Sequence, residues 1–292
     1  MRVLVTGARG FIGRRAIALL AAAGHECLGI GRTALPDAPR GARFIPCDIF
    51  DQSDVRAMLM RERPTHLLHL AWVTTHGTFW QSPLNLDWLA ASLQLVRAFA
   101  DAGGERIVGA GSCAEYVWDG TPCDVERTAL TPAYLYGVAK HALQMTVRAY
   151  AEQTTLSLAW GRVFFVYGPG EPTQKLVSSA IAELKVGRMP VSREWMRRLD
   201  FIHVDDVARA FASLVTSDLR GAVNIAGGDA TSIGEVLRLL GARFGIAVEP
   251  SPLSARTAPD VEAVLTPGFA FRPTYDVPSG LAATVAALVP GR

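Results

Sequence analysis

The sequence predicts an α/β protein: a doubly wound parallel sheet with a smaller C-terminal α/β lobe. Three observations carry this. A short apolar strand at the N-terminus runs into a glycine-rich turn and then a helix. Short β-branched runs then alternate with amphipathic helices up to about Gly161, the order that builds parallel sheets. Beyond Gly161 the alternation becomes irregular, starting with Tyr167-Gly168-Pro169-Gly170-Glu171-Pro172.

Composition bounds the rest. The chain has 292 residues, 50% hydrophobic and 19% charged, so a large buried core is expected and disorder is not. A net charge of +2 with no Lys/Arg-rich run argues against nucleic-acid binding. The four cysteines, 27, 47, 113 and 123, have no CxxC spacing and the histidines are scattered, so no metal site and no disulfide framework is expected. No stretch reaches the about 18 consecutive apolar residues of a membrane helix. The N-terminus enters a strand directly, with no signal-peptide pattern. These features predict a reduced, cytoplasmic protein with no membrane partner.

Arg2-Val3-Leu4-Val5 reads as a buried parallel strand. Gly7, Gly10 and Gly13 follow at three-residue spacing and residues 14–23 read as a helix. Strand, glycine turn and helix form the context of a dinucleotide site. Gly7 permits the tight turn, Gly10 lets backbone approach a pyrophosphate, and Gly13 lets helix and strand pack closely. The free N–H groups of the helix start then face the phosphates. The sheet is thus Rossmann-type.

Residues 26–30 read as the second strand. It ends in Gly31-Arg32-Thr33, with an arginine where NAD enzymes commonly carry an acid for the ribose 2′-hydroxyl. A cation there suits a 2′-phosphate, which predicts NADP, with NAD as the alternative. Residues 42–46 and 65–71 read as the next strands. Asp48 either accepts from an adenine amino group or caps the helix starting near Gln52. His66 and His69 read as satisfied core or edge histidines. Residues 84–102 form an amphipathic helix, and 106–110 a fifth strand.

At that strand's C-terminal end, where parallel sheets place their active sites, lies Gly111-Ser112-Cys113-Ala114-Glu115-Tyr116. Residues 132–154 read as a helix carrying Tyr136 and Lys140 one turn apart on one face. A nearby ammonium lowers a phenol's pKa. Such a Tyr can pass a proton to or from a carbonyl oxygen while hydride moves at the adjacent carbon. Residues 156–160 and 222–226 read as strands, and 176–187, 204–217 and 232–244 as helices. Residues 1–165 form the dinucleotide-binding domain and 166–292 mainly a substrate lobe, interleaved through segments such as 200–230.

With these motifs in hand, the chain resembles the extended short-chain dehydrogenase/reductase family, in particular its nucleotide-sugar epimerases, dehydratases and 4-ketoreductases. The resemblance rests on Thr6–Gly13, His69-Leu70-Ala71-Trp72, Gly111–Tyr116, Tyr136–Lys140, Arg162–Pro169, Asp200–Ala208 and Asn224-Ile225-Ala226. It implies a seven-stranded sheet. It implies Tyr136 as acid/base, Lys140 as the residue that orients the nicotinamide ribose, and Ser112 as holder of the substrate oxygen. Cofactor contacts are implied for Gly7, Arg9, Gly10, Phe11, Ile12, Gly13, Arg32, Asp48, Ile49, Leu70, Ala71, Trp72 and Phe164. Substrate contacts are implied for Ser112, Cys113, Lys175, Arg197, Arg198 and Arg256. A homodimer through the helices at 84–102 and 132–154 is implied as well.

The departures from the family pattern are informative. Cys113 and Ala114 stand where 4,6-dehydratases have an Asp-Glu pair. Leu199 stands where relatives carry a pyrophosphate-gripping Arg, with Arg197 and Arg198 just before it. Trp88 stands where an Asn is usual, with Asn85 one turn earlier. The expected activity is NADP-dependent reduction of the 4-keto group of a nucleotide sugar. The alternatives are a 4-epimerase with tightly bound NAD, a reductase of a non-nucleotide carbonyl, and a non-catalytic cofactor sensor.

Overall fold

A computed structural model describes residues 1–32, 38–75, 77–252, 254–255 and 257–289. In chain order its elements are β1 (Arg2–Thr6), α1 (Gly13–Ala22), β2 (Glu26–Gly31), β3 (Ala42–Pro46), α2 (Gln52–Glu62), β4 (His66–His69), α3 (Leu84–Asp101), β5 (Arg106–Ser112) and α4 (Leu135–Glu152). They continue with β6 (Ser157–Val163), β7 (Phe165–Tyr167), α5 (Leu176–Lys185), β8 (Arg198–His203), α6 (Val204–Thr216), β9 (Gly221–Ile225), β10 (Ala230–Ser232), α7 (Ile233–Phe244) and α8 (Val277–Leu288). No described helix is long and apolar enough to cross a membrane.

Seven strands form one sheet in the order β3-β2-β1-β4-β5-β6-β9. The pairs β1–β2, β1–β4, β2–β3 and β4–β5 are parallel. The order reverses between β1 and β4, which opens a crevice beyond their carboxyl ends. Leu4, Leu28, Leu67, Ile107 and Trp160 anchor the core that α2, α3 and α4 cover. Both faces of the inner strands are buried, which is why they read as continuous apolar runs.

The chain divides into two compact units. The first comprises Met1–Tyr116, Leu130–Arg162 and Ala208–Val223, and the second Val117–Ala129, Val163–Val207 and Asn224–Arg292. The second unit contains a three-stranded sheet, β10-β8-β7. Within it, residues 117–129 are tied in by a bridge between Cys123 and Ala263 and by Asn224, whose Nδ2 donates to the carbonyls of Cys123 and Val264. Asp200 is fully buried and accepts from the N–H groups of Gly227, Gly228 and Ala263.

Several boundaries differ from the sequence reading for identifiable reasons. The helix expected from 132 begins at Leu135, because Tyr134 is extended (φ −120°, ψ 147°). The Leu135 and Tyr136 N–H groups are instead satisfied by Gln81 Oε1 and the Trp80 carbonyl. Asp51, not Asp48, caps α2, accepting from the N–H groups of Ser53 and Asp54. Helix α8 was not legible: its alanines give no polar face to reveal a period.

Glu171 is buried and accepts from both the N–H and the hydroxyl of Ser178 in the first turn of α5. Burial raises its pKa from 4.5 to about 7. A carboxyl whose folded pKa is raised stabilises the fold while protonated. That contribution is complete below pH 4.5 and is lost as pH rises to about 7, a change of roughly 3 kcal/mol at most. Glu171→Gln is therefore expected to raise the melting temperature at pH 8 and leave it unchanged at pH 4.5. Calorimetry across that range checks the sign.

Candidate active site

Strand β5 ends at Ser112, and a single 3-10 turn, Cys113–Glu115, follows. The turn is locked by a capping box. Ser112 Oγ accepts from the Ala114 N–H at 3.2 Å, and Glu115 Oε1 accepts from the Ser112 N–H at 2.8 Å. The Glu115 side chain is fully buried. Its carboxylate also accepts from Trp160 Nε1 at 3.0 Å and from Arg162 Nε at 3.0 Å. Arg162 Nη1 then donates to the Tyr116 hydroxyl. Glu115 was absent from the expected site residues, although the Ser-x-x-Glu spacing of the capping box was its signal.

Helix α4 docks directly on this turn. A Cβ on Gly137 would lie 2.1 Å from the Ala114 carbonyl oxygen, so the approach requires glycine. The docking sets Tyr136 beside this turn, where the Ser112 hydroxyl acts to lower its phenol pKa. The edge of the Tyr136 ring meets Phe79 and Trp80, at centroid distances of 4.9 and 5.8 Å. One turn on, Lys140 is buried. Its Nζ donates to the Ala110 carbonyl at 2.8 Å and sits 4.0 Å from the Trp72 ring centroid.

The electrostatics differ from the sequence expectation of a phenol lowered by lysine. Burial pushes the Tyr136 phenol above its ordinary range, and the Ser112 hydroxyl only partly opposes it. Lys140 spends its ammonium on Ala110 and Trp72, and burial pushes it down to about 7, against the pull of Glu115. The chain itself thus keeps Tyr136 protonated at neutral pH, as a proton donor to a carbonyl requires.

At the sheet's switch point lies a cleft of about 620 Å³. Its lining brings together Gly7, Arg9, Gly10, Arg32, Asp48, Ile49, Ala71 and Trp72 from the expected cofactor contacts. Thr6, Phe50 and Trp88 also line it and were not anticipated. Phe11, Ile12, Gly13, Leu70, Tyr136 and Lys140 are not part of this lining, and Phe164 belongs to the second unit.

The backbone fits a dinucleotide. Gly7 has φ +66°, and a Cβ on Gly13 would lie 2.1 Å from the Gly7 carbonyl oxygen, so turn, strand and helix are in contact only because these residues lack side chains. Asp48 Oδ1 accepts from the Phe50 N–H, which holds the loop at the far end of the cleft.

The expected substrate residues are more dispersed. Cys113 is buried in the turn after Ser112. In the second unit, Lys175 is the N-cap of α5, Arg197 Nε donates to the Pro259 carbonyl, and Arg198 Nε donates to the Ala230 carbonyl. Arg256 lies outside the described residues. Among the described residues no group of His, Cys, Asp and Glu side chains could hold a metal ion.

A glycine-turn cleft at the switch point of a parallel sheet, next to a Ser–Tyr–Lys cluster, defines an oxidoreductase of the short-chain dehydrogenase/reductase class. The chain belongs to the NAD dependent epimerase/dehydratase family, whose model matches residues 3–226. It is 25% identical over 256 residues to a dTDP-6-deoxy-L-talose 4-dehydrogenase (NAD(+)) of Aggregatibacter actinomycetemcomitans, covering 86% of this chain and 93% of that one. It is 27% identical to a dTDP-4-dehydro-6-deoxy-D-allose reductase of a Streptomyces species, covering 85% of this chain and 84% of that one. Among solved structures it is similar to the UDP-glucose 4-epimerase of Thermus thermophilus in complex with NAD, with a TM-score of 0.85, 26% identity and 100% of each chain covered.

Gly13→Ala tests the cleft. Overpacking of this kind costs about 1–3 kcal/mol. The variant is expected to melt several degrees lower and to bind NAD(P)H about tenfold more weakly, as titration by fluorescence reads.

Proposed function

We propose that this chain is an NADP-dependent oxidoreductase that reduces the 4-keto group of a nucleotide-diphosphate sugar, with Tyr136 as the acid/base. The observation that carries this reading is the neutral Ser112–Tyr136 pair, whose hydroxyls donate to no carboxylate among the described residues. Dehydration needs an acid and a base beside the serine, but Cys113 and Ala114 occupy those positions and Glu115 faces Arg162. Reduction needs only a proton donor and a second donor to the same oxygen.

The bound nicotinamide supplies the hydride. Tyr136 gives its hydroxyl proton to the C4 oxygen as that oxygen becomes an alkoxide. Ser112 donates a hydrogen bond to the same oxygen, and two such donors aimed at the developing charge form the electrostatic part of catalysis. Lys140 would hold the nicotinamide ribose. We assign binding of the sugar's diphosphate to the cations Lys175, Arg197, Arg198 and Arg256. Arg9 and Arg32 line the end of the cleft where β2 finishes and take the 2′-phosphate of NADP.

The likeness to a dTDP-sugar 4-dehydrogenase and a 4-keto-sugar reductase supports this substrate class. A second reading, a 4-epimerase that retains NAD, draws support from the likeness to the Thermus enzyme. Exposed Leu84 and Leu86 on α3 and Val138 and Met145 on α4 support a homodimer through those helices, which we place in the cytoplasm.

Mass spectrometry of the denatured, freshly purified protein separates the two readings. Empty sites that fill preferentially with NADPH support the reductase, and stoichiometric NAD supports the epimerase. Tyr136→Phe is expected to lower turnover of a dTDP-4-keto sugar by about 10²- to 10⁴-fold with NADPH affinity unchanged. Arg32→Ala is expected to weaken NADPH about tenfold or more and leave NADH unaffected, since a charge-assisted contact to phosphate is lost only with the former.

A further inference from the structure

We propose that Glu115 is a positioning residue for this chemistry: its buried carboxylate, clamped by Trp160 and Arg162, holds the Ser112 turn in the register that lets the Ser112 hydroxyl meet the Tyr136 phenol. The inference rests on the reading of Ser112 and Tyr136 as the proton-delivery pair.

The geometry distinguishes this role from that of a structural ion pair. The guanidinium of Arg162 and the indole N–H of Trp160 are both buried and need an acceptor, and Glu115 supplies it. A pair serving only the core has no reason to reach the active site. Here Oε1, already bound to Trp160, also takes the Ser112 N–H at 2.8 Å. The Ser112 backbone is thereby pinned, and the Ala114 N–H occupies one lone pair of Oγ. The hydroxyl is thereby held beside Tyr136, on whose phenol it acts. The close contact of Gly111 with Trp160 and Glu115 leaves the turn no slack: a Cβ there would lie 2.4 Å from Oε1.

The same carboxylate acts on its neighbours through space. Lys140, on α4, is faced by Glu115 and by the neutral His69 of β4. Tyr136 is faced by Cys113 and Glu115. His141 is faced by Glu115 and by Arg162 and Arg148. Glu115 is the anion among the groups acting on Lys140, and it holds the ammonium pKa up against burial.

Glu115→Gln keeps the shape and removes the charge. The chain has three lysines, Lys140, Lys175 and Lys185, so their titration can be followed by NMR of ¹³C-labelled lysine. In the folded variant Lys140 is expected to titrate lower than in the wild type, because burial then pushes its ammonium down unopposed by Glu115. Turnover is expected to fall about 10- to 100-fold with KM and NADPH affinity unchanged, the scale of a small misplacement of reacting groups. An unfolded variant moves Lys140 the other way, toward the ordinary lysine range. Unchanged titration and unchanged turnover in a folded Glu115→Gln overturn the proposal. Should that variant unfold, Glu115→Val combined with Arg162→Met removes both charges, a swap that buried pairs often tolerate. A folded double variant with wild-type turnover overturns the proposal, and a folded but slow one supports it. A wild type that reduces no 4-keto sugar instead sinks the functional reading, and the lysine titration still decides the role of Glu115.

Discussion

The contact between the first turn of α4 and the end of β5 is the constraint on which the candidate site depends. Gly137 lets the helix backbone rest against the Ala114 carbonyl, and no side chain fits between them. From that one contact follow the approach of Tyr136 to Ser112 and the reach of Lys140 to the Ala110 carbonyl. A helix displaced by a methyl group would lose both at once, so these positions are energetically coupled and not independent. The helix start is supported from outside by Trp80 and Gln81, which take the place of a side-chain cap. The loop preceding α3 is thereby part of the machinery that sets the Tyr136 position.

Around this contact the molecule buries several charged or titratable groups, each with a specified partner. Moving an ion from water into a protein interior costs several kcal/mol unless it is paired and hydrogen-bonded. Lys140 is met by a carbonyl and an aromatic face. Glu115 and Arg162 satisfy one another. His69 is solved differently, by neutrality: burial pushes it down to about 3. Its tautomer follows from its neighbours. Ser92 donates its hydroxyl to the Trp88 carbonyl at 2.6 Å, so it accepts from His69 Nε2–H. Nδ1 then accepts from Thr6, whose oxygen takes the N–H groups of Leu70 and Ala71 at 3.1 Å each. This chain of hydrogen bonds joins β1, β4 and α3 under the floor of the cleft. It explains why a Thr ends β1 and a His ends β4.

The fold was legible because its signals are local. The glycine turn, the apolar strands and the amphipathic helices each announce themselves within a dozen residues. The places of Ser112 at the end of β5 and of Tyr136 and Lys140 in the first turns of α4 were legible for the same reason. What was not legible is set by contacts between distant segments. Glu115 looks like a loop acid until Trp160 and Arg162, more than forty positions away, are packed against it. The direction of the Tyr136 shift depends on how deeply the folded chain encloses the phenol, which no spacing encodes. Strands β7 and β10 are three residues long and carry no period. Helix α8 buries Leu281 and Val285 but is otherwise alanine-rich, so its buried face has no contrast.

The proton machinery does not by itself choose between reduction and epimerisation, because both require the same two donors to one oxygen. The choice falls to how firmly the cofactor is held and whether it leaves between turnovers. Those properties reside in the cleft, at some remove from Tyr136. At one end Arg9 and Arg32 present cations beside Gly31. At the other, the exposed ring of Phe50 meets Trp88 edge-on at 4.9 Å. An electropositive, solvent-facing end suits a charged cofactor that exchanges, since contacts there form and break without opening the core. The aromatic wall adds area for a base to stack on without adding a hydrogen bond that would specify it. Such a cleft fits the cofactor exchange and phosphate recognition that the proposed reductase requires. Together with a Ser112 hydroxyl that donates to no carboxylate among the described residues, this sets the balance toward a reductase.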